Sequence, residues 1–284
     1  MNLDDLGAFH QLDSQGMLAQ INGLPRQLED AYQLGAVLPL PDCPAVERIL
    51  VVGMGGAAAG ADLLAAWAAG KMAQPMVLHR DFDLPIWARG PRTLVAAVSN
   101  SGETEEILAV VEQAVEARCP VIALTSGGRL ASMAQTRGFP AWIYPHAHAS
   151  SSAVGWSFGL LHSALFRLGW LDDPQSEMRE GVHAMRNAQM NLVAEVPVVK
   201  NPAKRLAGQM VGRWVAVFTA GYMAPVARRW KDQLNLLAKT WAQVELVPEA
   251  GHRTLVGLAN PARPLNSVMA LFLRVVRVSD LVEA

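Results

Sequence analysis

Four short, β-branched apolar runs, ILVVG ending at Gly53, PMVLH ending at His79, TLVAAVS ending at Ser99 and PVIALTS ending at Ser126, each lead into a segment of helical spacing. Runs of this kind are strands, and strands that alternate with helices imply an α/β fold of three layers, α/β/α, around a parallel sheet. The alternation returns in weaker form further on. Helical segments run from about Gln175 to Gln209, WVAVFTAG is a strand, ARRWKDQLNLLAKTWA a helix, and VELVP and SVMALFLRVV are strands. Two α/β domains with parallel sheets are therefore expected, 46–150 and a divergent 151–284, with Ser152 to Leu168 as one buried helix joining them. Residues 1–45 are expected as a helical segment packed on the fold, broken near Gly16 and at Pro25 and followed by a Pro-rich link from Pro39 to Pro44.

Composition removes several classes of function. The chain has 284 residues, 51% hydrophobic and 17% charged, with a formal net charge of −1. That leaves no surplus of positive charge to hold a polyanion, so nucleic acid is not an expected partner. Cys43 and Cys119 are too few for a disulfide framework or a cysteine zinc site and fit a reducing, cytoplasmic compartment. The amino terminus, MNLDDLGAFHQLD, carries acids where a signal peptide would be basic, and export is not expected. Ala57 to Gly70 is apolar but short and contains Asp62, which reads as a buried helix in a soluble protein with no membrane partner. His146 and His148 straddle Ala147, a spacing that can hold a metal on a strand. With no Cys or acid beside them, neither a metal nor a cofactor is expected.

Three loops carry the chemistry. In VSNSGETEEI, Ser99, Ser101 and Thr104 follow a buried strand, Gly102 permits a tight turn, and Glu105 and Glu106 enter a helix. The unpaired N–H groups and dipole of a helix amino terminus attract an anion, and three hydroxyls add neutral donors that grip phosphate without a lysine. The plainer reading is an ordinary helix cap, although three hydroxyls in six residues exceed what capping needs. GMGGAAAG, from Gly53 to Gly60, also joins a strand to a helix. As a dinucleotide fingerprint it has Ala58 at the third glycine position, with Asp81 roughly where a ribose-binding acid would lie. Alternatively, Gly55 and Gly56 let backbone amides approach a ligand closely with no nucleotide involved. LTSGGRLASMA places Thr125 and Ser126 after a further strand, as helix caps or as part of the same crevice.

Taken together, Gly53 to Gly56, Ser99 to Glu105 and Thr125 to Arg129 resemble a sugar isomerase (SIS) domain. With ARRWKDQLNLLAK and VPEAGH the resemblance extends over nearly the whole chain to the bifunctional phosphoglucose/phosphomannose isomerase family. It implies two SIS domains, a homodimer with active sites at the subunit interface, and a small phosphorylated sugar as ligand. The implied reaction interconverts an aldose 6-phosphate and fructose 6-phosphate: a His opens the ring, a Glu moves a proton between carbons 1 and 2, and an Arg stabilises the enediol. Carried over by position, Ser99, Ser101, Thr104, Gly55 and Gly56 fall in the phosphate site, and His252 takes the ring-opening place.

The sequence departs from the family at the partners of that histidine. Where the family resembles RWKxQxNENAK this chain has RRWKDQLNLLAK, with Leu236 at the Glu position; where it resembles PRAALGYSF, Ser151 stands at the Arg position. Ala57 replaces the Ser after the double glycine, and Gly251 and Arg253 replace the Asn residues flanking His252. The sequence stops at Ala284 soon after a strand, so the family's carboxy-terminal segment is expected to be missing. Glu249 is the substitute base if burial raises its pKa; otherwise it is a solvated residue of a turn. The reading is a sugar-phosphate-binding protein of the isomerase type whose activity depends on such a replacement, the alternative being a non-catalytic phosphosugar-binding or regulatory protein.

Overall fold

The computed structural model describes residues 2–145 and 149–275. The chain opens with helices α1 (Leu6–Leu12), α2 (Met17–Asn22) and α3 (Leu24–Val37). Gly16 takes a left-handed conformation before α2. Pro25 does not break a helix: it stands in the first turn of α3, where its missing N–H has no partner to lose.

There follow β1 (Arg48–Gly53), α4 (Gly55–Ala68), β2 (Met76–His79), β3 (Thr93–Ser99), α5 (Glu105–Glu116), β4 (Val121–Thr125), α6 (Gly128–Arg137) and β5 (Ala141–Ile143). These strands form a parallel sheet in the order β2-β1-β3-β4-β5. Four of them are the apolar runs that define the pattern in the sequence. The fifth, AWI, is too short and too closely framed by Pro140 and Pro145 to have been read as a strand. Alternate residues of the sheet feed two cores. Ile49, Val51, Leu94, Ala96, Val98, Ile122 and Leu124 pack on one side, and Leu50, Val52, Val95, Ala97, Val121 and Ala123 on the other, which is why the interior of every central strand is apolar.

Helix α7 (Val154–Arg167) and α8 (Gln175–Gln189) come next. Small residues let α7 lie close against both α3 and α4. A Cβ on Gly159 would stand 2.7 Å from Ala31 Cβ, one on Gly35 2.6 Å from Ser163 Cβ, and one on Gly60 2.5 Å from the Phe158 backbone N. Gln27 of α3 caps α7 directly, its Oε1 accepting from Gly155 N at 2.7 Å and Trp156 N at 3.2 Å. By compactness the chain divides between Asn201 and Pro202. Helix α7 is apolar around nearly its whole circumference, so its periodicity does not say which neighbour it serves.

The second unit, residues 202–284, contains α9 (Pro202–Met210), β6 (Trp214–Ala220), α10 (Ala224–Leu236), β7 (Ala242–Val247), α11 (Glu249–His252), α12 (Thr254–Gly257), α13 (Ala262–Leu265) and β8 (Val268–Phe272). Its strands are parallel in the order β7-β6-β8. Helix α10 stops at Leu236 and does not continue to Ala242 as its spacing suggests. Lys239 enters the left-handed region at φ 52°, and Asn235 Oδ1 accepts from Ala242 N at 2.9 Å to start β7. Among the described residues no helix is long and apolar enough to cross a membrane.

Candidate functional site

In the order β2-β1-β3-β4-β5 the chain leaves β1 toward one side of the sheet and β3 toward the other. Loops beyond the carboxyl ends of two such strands diverge and leave a crevice, the usual ligand position in an open α/β sheet. The turn at Met54 to Gly56 follows β1, the hydroxyl loop follows β3, and Thr125 to Arg129 follows β4 beside it. The three chemistry-bearing loops of the sequence thus share one edge of one sheet.

Gly55 has φ 51° and no atom within 4 Å of the place a Cβ would take, so its conformation, not crowding, calls for glycine, and its surface is open. Gly56 is buried in the first turn of α4. Gly60, the last glycine of the run, is explained by packing, since a side chain there would strike Ser157 and the backbone of α7. Asp81 lies exposed beyond β2 and accepts from Phe82 N at 2.8 Å.

The hydroxyls of the second loop divide their work. Ser99 is 2% exposed; its Oγ accepts from Gly102 N at 3.1 Å and lies 3.0 Å from Thr104 Oγ1. Thr104 occupies the N-cap of α5 but makes no side-chain bond to the helix. Ser101 is exposed, with its Oγ accepting from Glu103 N at 3.2 Å. Ser99 and Thr104 therefore brace the loop from within, whereas Ser101 is left exposed.

The third loop is locked into the second. Gly102 has φ 70°, and a Cβ on it would lie 2.0 Å from the Gly127 carbonyl oxygen; one on Gly128, φ 71°, would lie 2.3 Å from Ser101 O. Leu130 N donates to Gly102 O at 2.9 Å, Ser126 N to Asn100 O at 3.1 Å, and Ser126 Oγ to the same oxygen at 2.6 Å. Thr125 Oγ1 both donates to Gly127 O at 2.8 Å and accepts from Gly127 N at 3.1 Å. Thr125 and Ser126 are thus loop braces instead of helix caps. Sequence reading missed the contact between Arg129 and the acids of the hydroxyl loop: Arg129 N donates to Glu103 Oε1 at 2.9 Å and its guanidinium pairs with Glu105 at 2.5 Å. With the Arg129 guanidinium already paired to Glu105, the donors left for an anion at this edge are neutral ones, backbone N–H and hydroxyl.

In the second unit, Glu249 and His252 open and close the single turn of α11, and both are exposed within the chain. Glu249 pairs with Arg253 at 2.9 Å and is exposed, without the burial that the substitute-base reading calls for. A carboxylate the sequence did not single out, Glu245 on β7, is half-buried and accepts from Thr254 Oγ1 at 2.5 Å and Gln243 Nε2 at 3.1 Å. Burial pulls the Arg229 guanidinium on α10 below its ordinary value, with Asp232 opposing. Leu236 ends α10 with 48% of its surface exposed, whereas Ser151 is buried at 7%. His146 and His148 lie outside the described residues, among which no group of three or more His, Cys, Asp or Glu could hold a metal.

Residues 199–283 match the family described as the bacterial phospho-glucose isomerase C-terminal SIS domain. The chain is 30% identical over 247 residues to the bifunctional phosphoglucose/phosphomannose isomerase of Caldicellulosiruptor bescii, covering 86% of this chain and 73% of that one. It is 31% identical over 228 residues to the enzyme of the same name from Pyrobaculum aerophilum, covering 78% and 67%. Among solved structures, tagatose-6-phosphate ketose/aldose isomerase from Escherichia coli shares the fold with a TM-score of 0.65 at 16% identity, over 89% of this chain and 72% of that one. The first two relationships span most of both partners at an identity that marks common descent, and the chain belongs to the bifunctional phosphoglucose/phosphomannose isomerase family.

Proposed function

We propose that this chain binds a small phosphorylated sugar at the carboxyl edge of the five-stranded sheet and is of the glucose-6-phosphate/mannose-6-phosphate isomerase type. The observation that carries the reading is the pair of interlocked loops, Ser99 to Glu105 and Thr125 to Arg129, braced at a switch point with a hydroxyl on their open side. A phosphate there would be held by Ser101, by backbone N–H groups at the start of α5 and by the open approach at Gly55. Calorimetry with glucose 6-phosphate, mannose 6-phosphate, glucose and inorganic phosphate tests it. Binding of the two sugar phosphates, with none of glucose, is the expected result; equal binding of all four or of none would sink it. Ser101→Ala is expected to weaken the sugar phosphates about tenfold, the loss of one hydrogen bond to a charged group. Ser99→Ala is expected instead to lower unfolding stability by about 1 kcal/mol in a urea titration, because its bonds are internal.

Isomerisation needs the C2 proton removed to a base, the C1 carbonyl oxygen protonated to give an enediol, and a proton returned to C1 as the C2 hydroxyl loses its own. In the enzyme reading His252 moves the proton that opens the ring and Glu249 is the base. The alternative, binding without turnover, rests on Leu236 and Ser151 standing where the family resembles Glu and Arg. Formation of fructose 6-phosphate, abolished in His252→Ala, would select the first. If the native chain binds without turnover, Leu236→Glu at its exposed site is expected to give the first measurable product, and Ser151→Arg to cost stability instead because it is buried. We further infer a cytoplasmic homodimer, supported by the unpaired thiols of Cys43 and Cys119 and by exposed Trp241, Val256 and Phe272 on the second unit.

A further inference from the structure

The connection from β2 to β3 has to run from the carboxyl end of the five-stranded sheet back to its amino end, because the two strands are parallel with β1 between them. Such a crossover is usually made by a helix laid over the sheet. Here it is a strap with a single 3₁₀ turn at Ile86–Ala88. Leu84 and Ala88 of the strap are buried with Leu50 and Val52, so it covers that side of the sheet. The cover is incomplete. Val77 on the edge strand β2 is in register with Leu50, on the same face, and is still exposed.

Phe82, Ile86 and Trp87 of the strap are exposed, Ile86 at 87%. Single exposed apolar side chains are ordinary, but three within six residues, beside an uncovered strand, form a patch. The backbone beneath them is fixed from three places. Gln113 on α5 accepts from Leu84 N at 3.0 Å and donates to Phe82 O at 2.9 Å, Arg48 Nη1 on β1 donates to Trp87 O at 3.3 Å, and Cys119 Sγ donates to Ala88 O at 3.3 Å. A surface held in this way has little freedom left to lose when a partner docks on it. Charge is ordered along the strap as well. Asp81 and Asp83 stand at one end and Arg89 at the other, all exposed, and none of them has an ion-pair partner among the described residues. Arg80 and Arg92, farther out, are paired with Asp62 and Glu47.

We propose that the strap is a contact between two copies of this chain, laid antiparallel across a two-fold axis near Ile86. The charges select both the occupant and the arrangement. A two-fold brings Asp81 and Asp83 of each copy to Arg89 of the other and sets Ile86 against Ile86, whereas straps laid parallel would oppose like charges. A second strap supplies what the first lacks: apolar surface to cover Val77, acids for Arg89 and a cation for the two aspartates. The contact is small, so a transient association in the micromolar range is expected. It goes beyond the homodimer proposed above, which rests on exposed residues of the second unit.

Sedimentation equilibrium of the full chain between about 1 and about 200 µM tests it, with average mass expected to rise over that range. Ile86→Glu, which sets two like charges at the axis, is expected to weaken the association at least about tenfold, and Arg89→Glu to act in the same direction. Arg89→Glu combined with Asp81→Arg and Asp83→Arg exchanges the two ends and is expected to restore association to within about threefold of the native chain. A merely structural defect of the single variants would not be repaired by that exchange. Phe272→Glu on the second unit separates this contact from the homodimer: the loss caused by Ile86→Glu is expected to be the same in that background. A mass that does not rise with concentration, association of Ile86→Glu within about threefold of native, or a charge exchange that fails to restore it would overturn the proposal.

Discussion

Gly102→Ala is expected to abolish sugar-phosphate binding, by at least about 100-fold, and to lower the stability of the first unit by about 3 kcal/mol. Two effects combine. At φ 70° a Cβ crowds its own carbonyl, a cost of roughly 1–2 kcal/mol for any residue other than glycine. The same Cβ would lie 2.0 Å from Gly127 O, a backbone atom that cannot rotate aside because Thr125 holds Gly127 by both its N–H and its carbonyl. The two loops must separate, and the bond from Leu130 N to Gly102 O goes with them. Gly55→Ala is the control for stability alone: φ is also positive, but nothing lies within 4 Å of the new carbon, so in urea unfolding only the conformational part of the cost is expected. Calorimetry and urea unfolding of both variants measure the difference, and a Gly102→Ala protein that binds within threefold of the native chain would rule out the interlocked loops as the site.

Lowering the pH from 7 to 4.5 is expected to remove about 2–3 kcal/mol of stability from the native chain that His162→Leu does not lose. Burial lowers the His162 pKa from 6.5 to about 4; the facing Glu177 opposes this and Lys71 adds to it, with Tyr32 and, next to it, Asp173 on the same side. The sign follows from proton counting. Above pH 6.5 the imidazole is neutral folded and unfolded and contributes nothing pH-dependent. Between 6.5 and about 4 the unfolded chain takes up a proton that the folded chain refuses, so stability falls with falling pH, and the loss levels off below about 4. Carboxylates add their own acid dependence, so the difference between native and variant isolates the histidine. Parallel profiles for the two proteins would mean that His162 reaches water in the folded state.

The sheet was legible in the sequence because parallel strands buried on both faces keep polar residues to their ends, as in TLVAAVS. Element ends were harder. Helix α10 stops where Lys239 turns left-handed, and nothing in LLAKTWA marks that turn as a Gly or Pro would. Of the site, the residue types were readable but not their division of labour. Three hydroxyls in one loop pointed to phosphate, yet only coordinates distinguish Ser101, turned outward, from Ser99, buried and bonded inward. The locking of Gly102 and Gly128 between two loops 25 residues apart is likewise a tertiary contact, and each glycine alone looks like an ordinary turn.

The close pairing of α3 with α7 bears on how the chain acquires its structure. Gln27 holds the start of α7, Arg167 Nη1 donates to Gly35 O at 2.7 Å, and Trp142 Nε1 donates to Pro39 O at 2.6 Å. Every one of these bonds joins residues more than a hundred positions apart. During synthesis α3 is therefore made early and covered late, its apolar stripe waiting until residue 167 has left the ribosome. Over that interval the nascent segment 24–40 exposes apolar surface of the kind that promotes aggregation.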